Sequence, residues 1–338
     1  MSIFLDFDGT ITTEDTVTHL AKFALRFQSS REPPDAGRSV DGPQDTSLSG
    51  TEDPSRVGEG AAKEKKEEGE KEERDLSSRW DDVVRAYVSD YKSHVSSYAP
   101  PAEDRRRAED EIAFQRSQKH VEMSSLERIN ACALFRGIGP DAFREAGREL
   151  VRDGTVRLRP GFDRFVRGAL EKGWRVSIIS VNWSAAFIEG ACGFSEEDVS
   201  VFANEVQQDD GVVLGPGALA GDHLLVSEGG EDPSTSRERA GRNLTNSCDK
   251  HDAVQEVMRK RDALDKPFYY FGDSTTDMEC LLAATRGVVI ADDETSSLIK
   301  TLRRIGKRVP HVRDAEAGEG LVWATNFEEV MHSTLDLL

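Results

Sequence analysis

The sequence predicts an α/β protein: a Rossmann-like parallel sheet core with a helical cap domain inserted after the first strand. Three observations predict it. Apolar runs of strand length at 2–5, 174–179, 268–271 and 287–291 alternate with segments of helical period, the pattern of a parallel sheet covered on both faces. Between residues 15 and 156 there are helical patterns and no convincing strand. Asp6, Ser180 and Asp273 directly follow, or nearly follow, three of the runs. Ligands of open α/β sheets bind at the carboxyl ends of their strands.

The elements follow in order. Residues 2–5 are short and apolar and run straight into Asp6, so they read as a buried central strand. Asp15 or Thr16 caps a helix through about Phe27, with Val17, Leu20, Ala21, Ala24 and Leu25 at helical spacing. From 28 to 79 no residue is aromatic, and Pro, Gly, Ser and charge runs dominate. Such a composition does not offset the entropy of ordering the chain, so the stretch reads as a disordered insertion, with an exposed acidic helix over 61–74 as the alternative. Helices follow at 80–98, where Trp80, Val83, Val84, Tyr87, Val88 and Tyr91 make a stripe, at 103–135 and at 141–151.

After Arg159-Pro160-Gly161 strands and helices alternate. Helices are expected at 162–172, 185–192, 252–264 and 277–284. The segments 199–206 and 212–214 are strand-like, and 221–247 reads as a polar loop. The predicted division is a core of 1–14 and 156–338 and a helical cap of 15–155, interrupted by the insertion at about 28–79.

Composition limits the function. The chain has 338 residues, 37% of them hydrophobic, and a formal net charge of −19. That charge argues against nucleic acid and against a basic membrane-facing surface. No apolar run approaches the ~20 residues of a membrane helix, and the first residues do not form a signal peptide, so a cytoplasmic protein is expected, the nucleus remaining open. Cys132, Cys192, Cys248 and Cys280 include no Cys-x-x-Cys pair, which speaks against structural zinc and for free thiols. The glycosylation patterns at Asn182 and Asn243 would go unused in such a compartment.

The chemistry lies at the strand ends. In Asp6-Phe7-Asp8-Gly9-Thr10 two carboxylates two residues apart face one site while Phe7 points the other way. They repel, so a cation belongs between them, and an all-oxygen donor set suits magnesium. An Asp-Gly turn is the plainer reading. In Gly272-Asp273-Ser274-Thr275-Thr276-Asp277 a second pair of acids stands about one helical turn apart; here the plainer reading is a helix cap at Asp273 or Ser274. Ser180 and the amides after it suit phosphate oxygens at a helix start, or Ser180 is an N-cap. Lys250 precedes the helix leading into the 268–271 strand and suits a phosphoryl group, or is a solvated lysine.

These four signals together resemble the haloacid dehalogenase superfamily, in its phosphoserine-phosphatase-like branch. The resemblance rests on Asp6-x-Asp8-Gly9-Thr10, Ser180, Lys250 and Gly272-Asp273-x-x-x-Asp277, and covers about 1–27 and 156–292. One departure is clear: Val181-Asn182-Trp183 stands where small glycines commonly follow the serine.

The resemblance implies magnesium-dependent hydrolysis of a small-molecule phosphomonoester through an aspartyl-phosphate. Asp6 is then the nucleophile and Asp8 the acid and base. Ser180, Asn182 and Lys250 bind phosphate. The metal is held by Asp6, the backbone carbonyl of Asp8, and Asp273, with Asp277 behind them and Asp15 near the substrate's organic part. The expected partner is a small phosphorylated metabolite. A phosphomutase or phosphotransferase on the same scaffold, and a non-catalytic regulatory protein, are the alternatives.

Overall fold

A computed structural model describes residues 1–30, 54–219, 242–316 and 318–333. Six parallel strands form the main sheet: β1 (Ser2–Leu5), β2 (Arg175–Ile179), β3 (Val199–Phe202), β6 (Phe268–Gly272), β7 (Arg286–Ile290) and β8 (Leu321–Ala324), in the order β3-β2-β1-β6-β7-β8. β4 (Glu205–Val206) and β5 (Val213–Leu214) form a separate antiparallel pair. The sheet is Rossmann-like, with its first strand near the centre.

Strand alternation divides the core between the two faces. Ile3, Leu5, Phe271, Val288 and Ile290 pack to one side, with Phe165 of α6 (Phe162–Glu171), Phe187 of α7 (Ala185–Cys192) and Phe327 of α11 (Phe327–Met331). Phe4, Tyr270 and Val289 pack to the other, with Val254 of α8 (Ser247–Lys260), Leu281 of α9 (Met278–Ala283) and Leu298 of α10 (Ser297–Arg304). With both faces covered, β1 is wholly buried.

Besides α6, five α-helices are described between β1 and β2: α1 (Val17–Ser30), α2 (Pro54–Ser97), α3 (Ala108–Ser117), α4 (Lys119–Cys132) and α5 (Pro140–Arg152). α1 and α4 pack on α2, whereas α5 packs on α7. At that crossing a Cβ on Gly190 would lie 2.0 Å from the Arg144 carbonyl oxygen, so glycine permits the approach.

Three expectations need correction. The insertion expected to be disordered at 28–79 is helical from Pro54 onward, within the 44-residue α2. Ala, Lys and Glu at 61–74 are good helix formers, and extending a helix costs far less than nucleating one. The packed turns around Leu76, Trp80 and Val83 supply the nucleus. Residues 31–53 of that insertion lie outside the described residues, as does 220–241, which includes most of the polar loop expected at 221–247. The single helix expected at 103–135 is broken into a short 3-10 turn, α3 and α4. The helix expected from 252 begins at Ser247, because Asn246 and Asp249 form a capping box. Lys250 therefore sits in the first turn of α8.

Candidate active site

β1 and β6 are neighbours, and the chain runs outward from them in opposite directions across the sheet. This is a topological switch point, where loops leaving two adjacent strands diverge and open a crevice. Asp6 leaves β1 there and Asp273 leaves β6. Carboxylate oxygens of Asp6, Asp273 and Asp277 all lie within 4.8 Å of one another.

The turn after Asp6 is specific in shape. Phe7 is fully buried and meets the Phe187 ring edge-on, so Asp6 and Asp8 are left for the crevice. Gly9 has φ +74°, and a Cβ on it would lie 2.3 Å from Asp273 Oδ2. Only glycine combines that backbone with that approach. Thr10 Oγ1 donates to Asp273 Oδ1 at 2.9 Å, and the Arg159 guanidinium donates twice to the Gly9 carbonyl, at 3.0 and 2.9 Å.

Lys250 is wholly buried, with Nζ 2.8 Å from Asp6 Oδ1 and 2.7 Å from Asp277 Oδ1. Burial alone would lower its pKa, but the Asp277 and Asp6 carboxylates hold it above the ordinary lysine range. Asp277 is committed at both oxygens. Oδ1 also accepts from the Tyr270 hydroxyl at 2.8 Å, and Oδ2 accepts from the Asp273 and Ser274 amides at 3.2 Å. It fixes Lys250 and the 273–274 turn. Ser274, not Asp273, caps the 3-10 turn that follows, which leaves Asp273 available.

Burial, and then repulsion from Asp277, raises Asp6 well above the carboxylate range despite Lys250. The same two causes raise Asp273 to about 7. With all three carboxyls ionised, one ammonium leaves two negative charges uncompensated, and a divalent cation would offset them. The donor set is oxygen only, which fits magnesium and not zinc or iron.

Asp8 accepts from the Thr16 amide at 2.8 Å and hydroxyl at 2.6 Å on Oδ1, and from Asn182 Nδ2 at 2.8 Å on Oδ2. Burial raises its carboxyl to about 6, the Asp15 charge adding to this and the Thr16 and Asn182 hydrogen bonds opposing it. Asn182 was expected to bind phosphate. Its side chain is fully buried and donates to Asp8 Oδ2 and, at 3.1 Å, to Thr16 Oγ1, so in this structure it positions Asp8. Ser180 is also buried and accepts from the Asn182 amide at 3.2 Å, while Ser184 caps α7. The N-cap reading of Ser180 therefore does not hold. Asp15 is exposed at the start of α1, where its carboxylate accepts from the Val17 amide at 2.8 Å.

Above the acids lies a cavity of about 570 Å³. Asp6, Asp8, Ser180 and Asp273 line it from the carboxyl edge of the sheet; Trp80 and Tyr87 of α2, Glu122, Leu126 and Ile129 of α4, and Trp183 of the loop after β2 line its helical end. Tyr87 donates to Glu122 at 3.0 Å, tying α2 to α4. Burial raises the Glu122 carboxyl above its ordinary range. Sequence reasoning read Thr16 only as a helix cap and gave no role to Arg159, Tyr270, Glu122 or Trp183. Arg159, Glu122 and Trp183 meet partners remote in the chain, whereas Thr16 and Tyr270 reach Asp8 and Asp277 eight and seven residues away, and none of these contacts leaves a local motif.

No known family model matches the chain. It is 26% identical over 227 residues to Cold tolerance protein 1 of Saccharomyces cerevisiae, covering 63% of this chain and 65% of that protein's length. Among solved structures it is similar to a cytosolic 5'-nucleotidase IIIB bound to cytidine, at 12% identity and TM-score 0.49, covering 100% of this chain and 85% of that one. It is also similar to a substrate-bound phosphoserine phosphatase, at 10% identity and TM-score 0.44, covering 97% and 95%. The four motifs on which the resemblance to the haloacid dehalogenase superfamily rests lie together at the carboxyl edge of one Rossmann-like parallel sheet.

Proposed function

We propose that the chain hydrolyses phosphomonoesters of small molecules, with Asp6 as nucleophile. The observation that carries this reading is the convergence of Asp6, Asp273 and Asp277 at the switch point, with Lys250 wholly buried between Asp6 and Asp277. A carboxylate so placed has a neighbouring cation to offset the charge of an incoming phosphate. Two unit charges 4 Å apart repel by ~4 kcal/mol at an effective dielectric of 20, so the approach of two anions needs such compensation.

An Asp6 oxygen attacks phosphorus, and the bond from phosphorus to the ester oxygen breaks. Asp8 gives its proton to the departing oxygen. The aspartyl-phosphate on Asp6 is then attacked at phosphorus by water, whose proton passes to the Asp8 carboxylate. The phosphorus–Asp6 bond breaks, releasing phosphate and restoring both acids. Thr16 and Asn182 aim Asp8 through both steps, Ser180 and the amides beyond it meet phosphoryl oxygens, and Asp277 holds Lys250 in place. Magnesium would be held by the Asp6 and Asp273 carboxylates and the Asp8 backbone carbonyl. It would supply positive charge that lowers repulsion between the nucleophile and the phosphoryl group.

Phosphate release from p-nitrophenyl phosphate tests the reading. Turnover with magnesium, its loss on chelation, and its return when magnesium is restored are expected. Full activity of the metal-stripped protein contradicts the metal assignment, and no turnover under any condition contradicts the reading as a whole.

A further inference from the structure

The end of the cavity away from the acids has a chemistry of its own. Trp80 and Trp183 meet edge to face, their ring centroids 6.0 Å apart, and Trp183 also meets Phe135 at 5.8 Å. Val83, Leu126 and Ile129 complete an apolar wall. One carboxylate, Glu122, is set into that wall, held by the Tyr87 hydroxyl. The charge balance is one-sided. Asp6, Asp8, Asp15, Glu122 and Asp273 line the cavity, and no lysine, arginine or histidine does so among the described residues. Lys250 pairs with Asp6 and Asp277 and is not a lining residue.

A carboxylate among aromatic rings is costly to desolvate unless a positive charge comes with the ligand. Aromatic faces also attract a cation electrostatically, tryptophan most strongly. An anionic organic group finds the opposite: repulsion and no counter-charge. Trp183 belongs to the segment that follows Ser180, so one loop contributes both to the phosphate end and to this wall.

We propose that the substrate is the phosphomonoester of an alcohol carrying a positively charged, apolar-surfaced group, which packs on Trp80, Tyr87 and Trp183 and is neutralised by Glu122. This rests on the phosphatase reading of the same cavity. It disfavours phosphorylated amino acids, whose carboxylate has no partner in this wall.

The test compares choline phosphate with 3,3-dimethylbutyl phosphate, which has the same shape without the charge, using p-nitrophenyl phosphate to register turnover. The expected kcat/KM for choline phosphate is roughly 10-fold or more above that of the neutral ester, a ratio that falls toward one in Glu122→Gln. O-Phosphoserine is expected to be turned over more slowly than choline phosphate. Equal values for the charged and neutral esters overturn the proposal, as does a Glu122→Gln protein slowed equally on both. Calorimetric binding of choline and of 3,3-dimethylbutanol to the wild-type protein reads the same preference without any phosphoryl chemistry. Preferential choline binding with no hydrolysis of any ester contradicts the phosphatase reading alone. Hydrolysis of p-nitrophenyl phosphate with no charge preference contradicts this proposal alone.

Discussion

The two ends of the cavity are built on different terms. At the sheet edge nearly every polar group is fixed by others. Lys250 bridges two carboxylates, Asp277 accepts from Lys250, Tyr270 and the 273–274 turn, Asp8 accepts three hydrogen bonds, and Gly9 fits against Asp273 with no room for a methyl. At the helical end the surface is mostly rings and aliphatic chains, and the hydrogen bond from Tyr87 to Glu122 joins two of the lining residues. Chemistry requires atoms held to fractions of an ångström, whereas recognition of an apolar group requires area and the right charge. Substitutions at the first end should therefore act on rate and stability, and those at the second on which substrate is used.

The largest effect in this contrast is expected from Lys250→Ala. It leaves the buried Asp6 and Asp277 carboxylates facing each other without their cation. Breaking a buried ion pair by removing one partner costs about 3–5 kcal/mol. The urea midpoint of unfolding should fall sharply, and turnover should vanish with it. A variant as stable as wild type would show that Lys250 is not the charge that holds this end together.

Asp8→Asn should keep the fold and lose roughly 10²–10⁴-fold in kcat, the range for a positioned acid and base. An ester with a very good leaving group should suffer less in the first step, which a comparison of p-nitrophenyl and alkyl phosphates would reveal. An equal loss on both would locate the damage in the second step instead.

Gly9→Ala should destabilise the protein by about 1–3 kcal/mol, because φ +74° strains an alanine backbone and its methyl displaces Asp273. Chemical unfolding measures the first effect. The magnesium concentration for half-maximal rate measures the second and should rise. An unchanged requirement would mean that Asp273 moves aside without consequence for the metal.

The same division explains how much could be read from the sequence. The buried strands at 2–5, 268–271 and 287–291 are short apolar runs with turn residues after them, and the acids follow at once, so both the sheet and Asp6, Asp8, Asp273 and Asp277 were legible. β8 was not read, because Leu321–Ala324 is a four-residue run in a stretch where no site residue drew attention to it. The start of α8 was missed because its cap, Asn246 with Asp249, comes from a polar stretch without hydrophobic period. The 54–79 part of α2 was misread because absence of an apolar face does not stop a helix already nucleated elsewhere from extending. The wall of Trp80, Tyr87, Glu122 and Trp183 draws on three separate segments that meet only in the folded chain, so it left no local pattern.

The smallest effect in the contrast is expected from Trp183→Leu. It removes ring area from the recognition end and touches none of the acids. KM for a bulky ester should rise several-fold, while kcat for p-nitrophenyl phosphate stays within about a factor of three, since lost uniform binding appears in KM. A large loss of kcat would mean that the loop carrying Ser180 shifts with the ring, and the two ends would then not be separable.

The central claim is that phosphate passes through a covalent bond to Asp6. Quenching the enzyme during turnover and reducing it with borohydride converts an acyl-phosphate side chain to an alcohol. Peptide mass spectrometry should then find homoserine at position 6, in amounts that rise with substrate and disappear when magnesium is withheld. Steady phosphate release with residue 6 recovered only as aspartate, together with turnover by Asp6→Asn, would contradict the account.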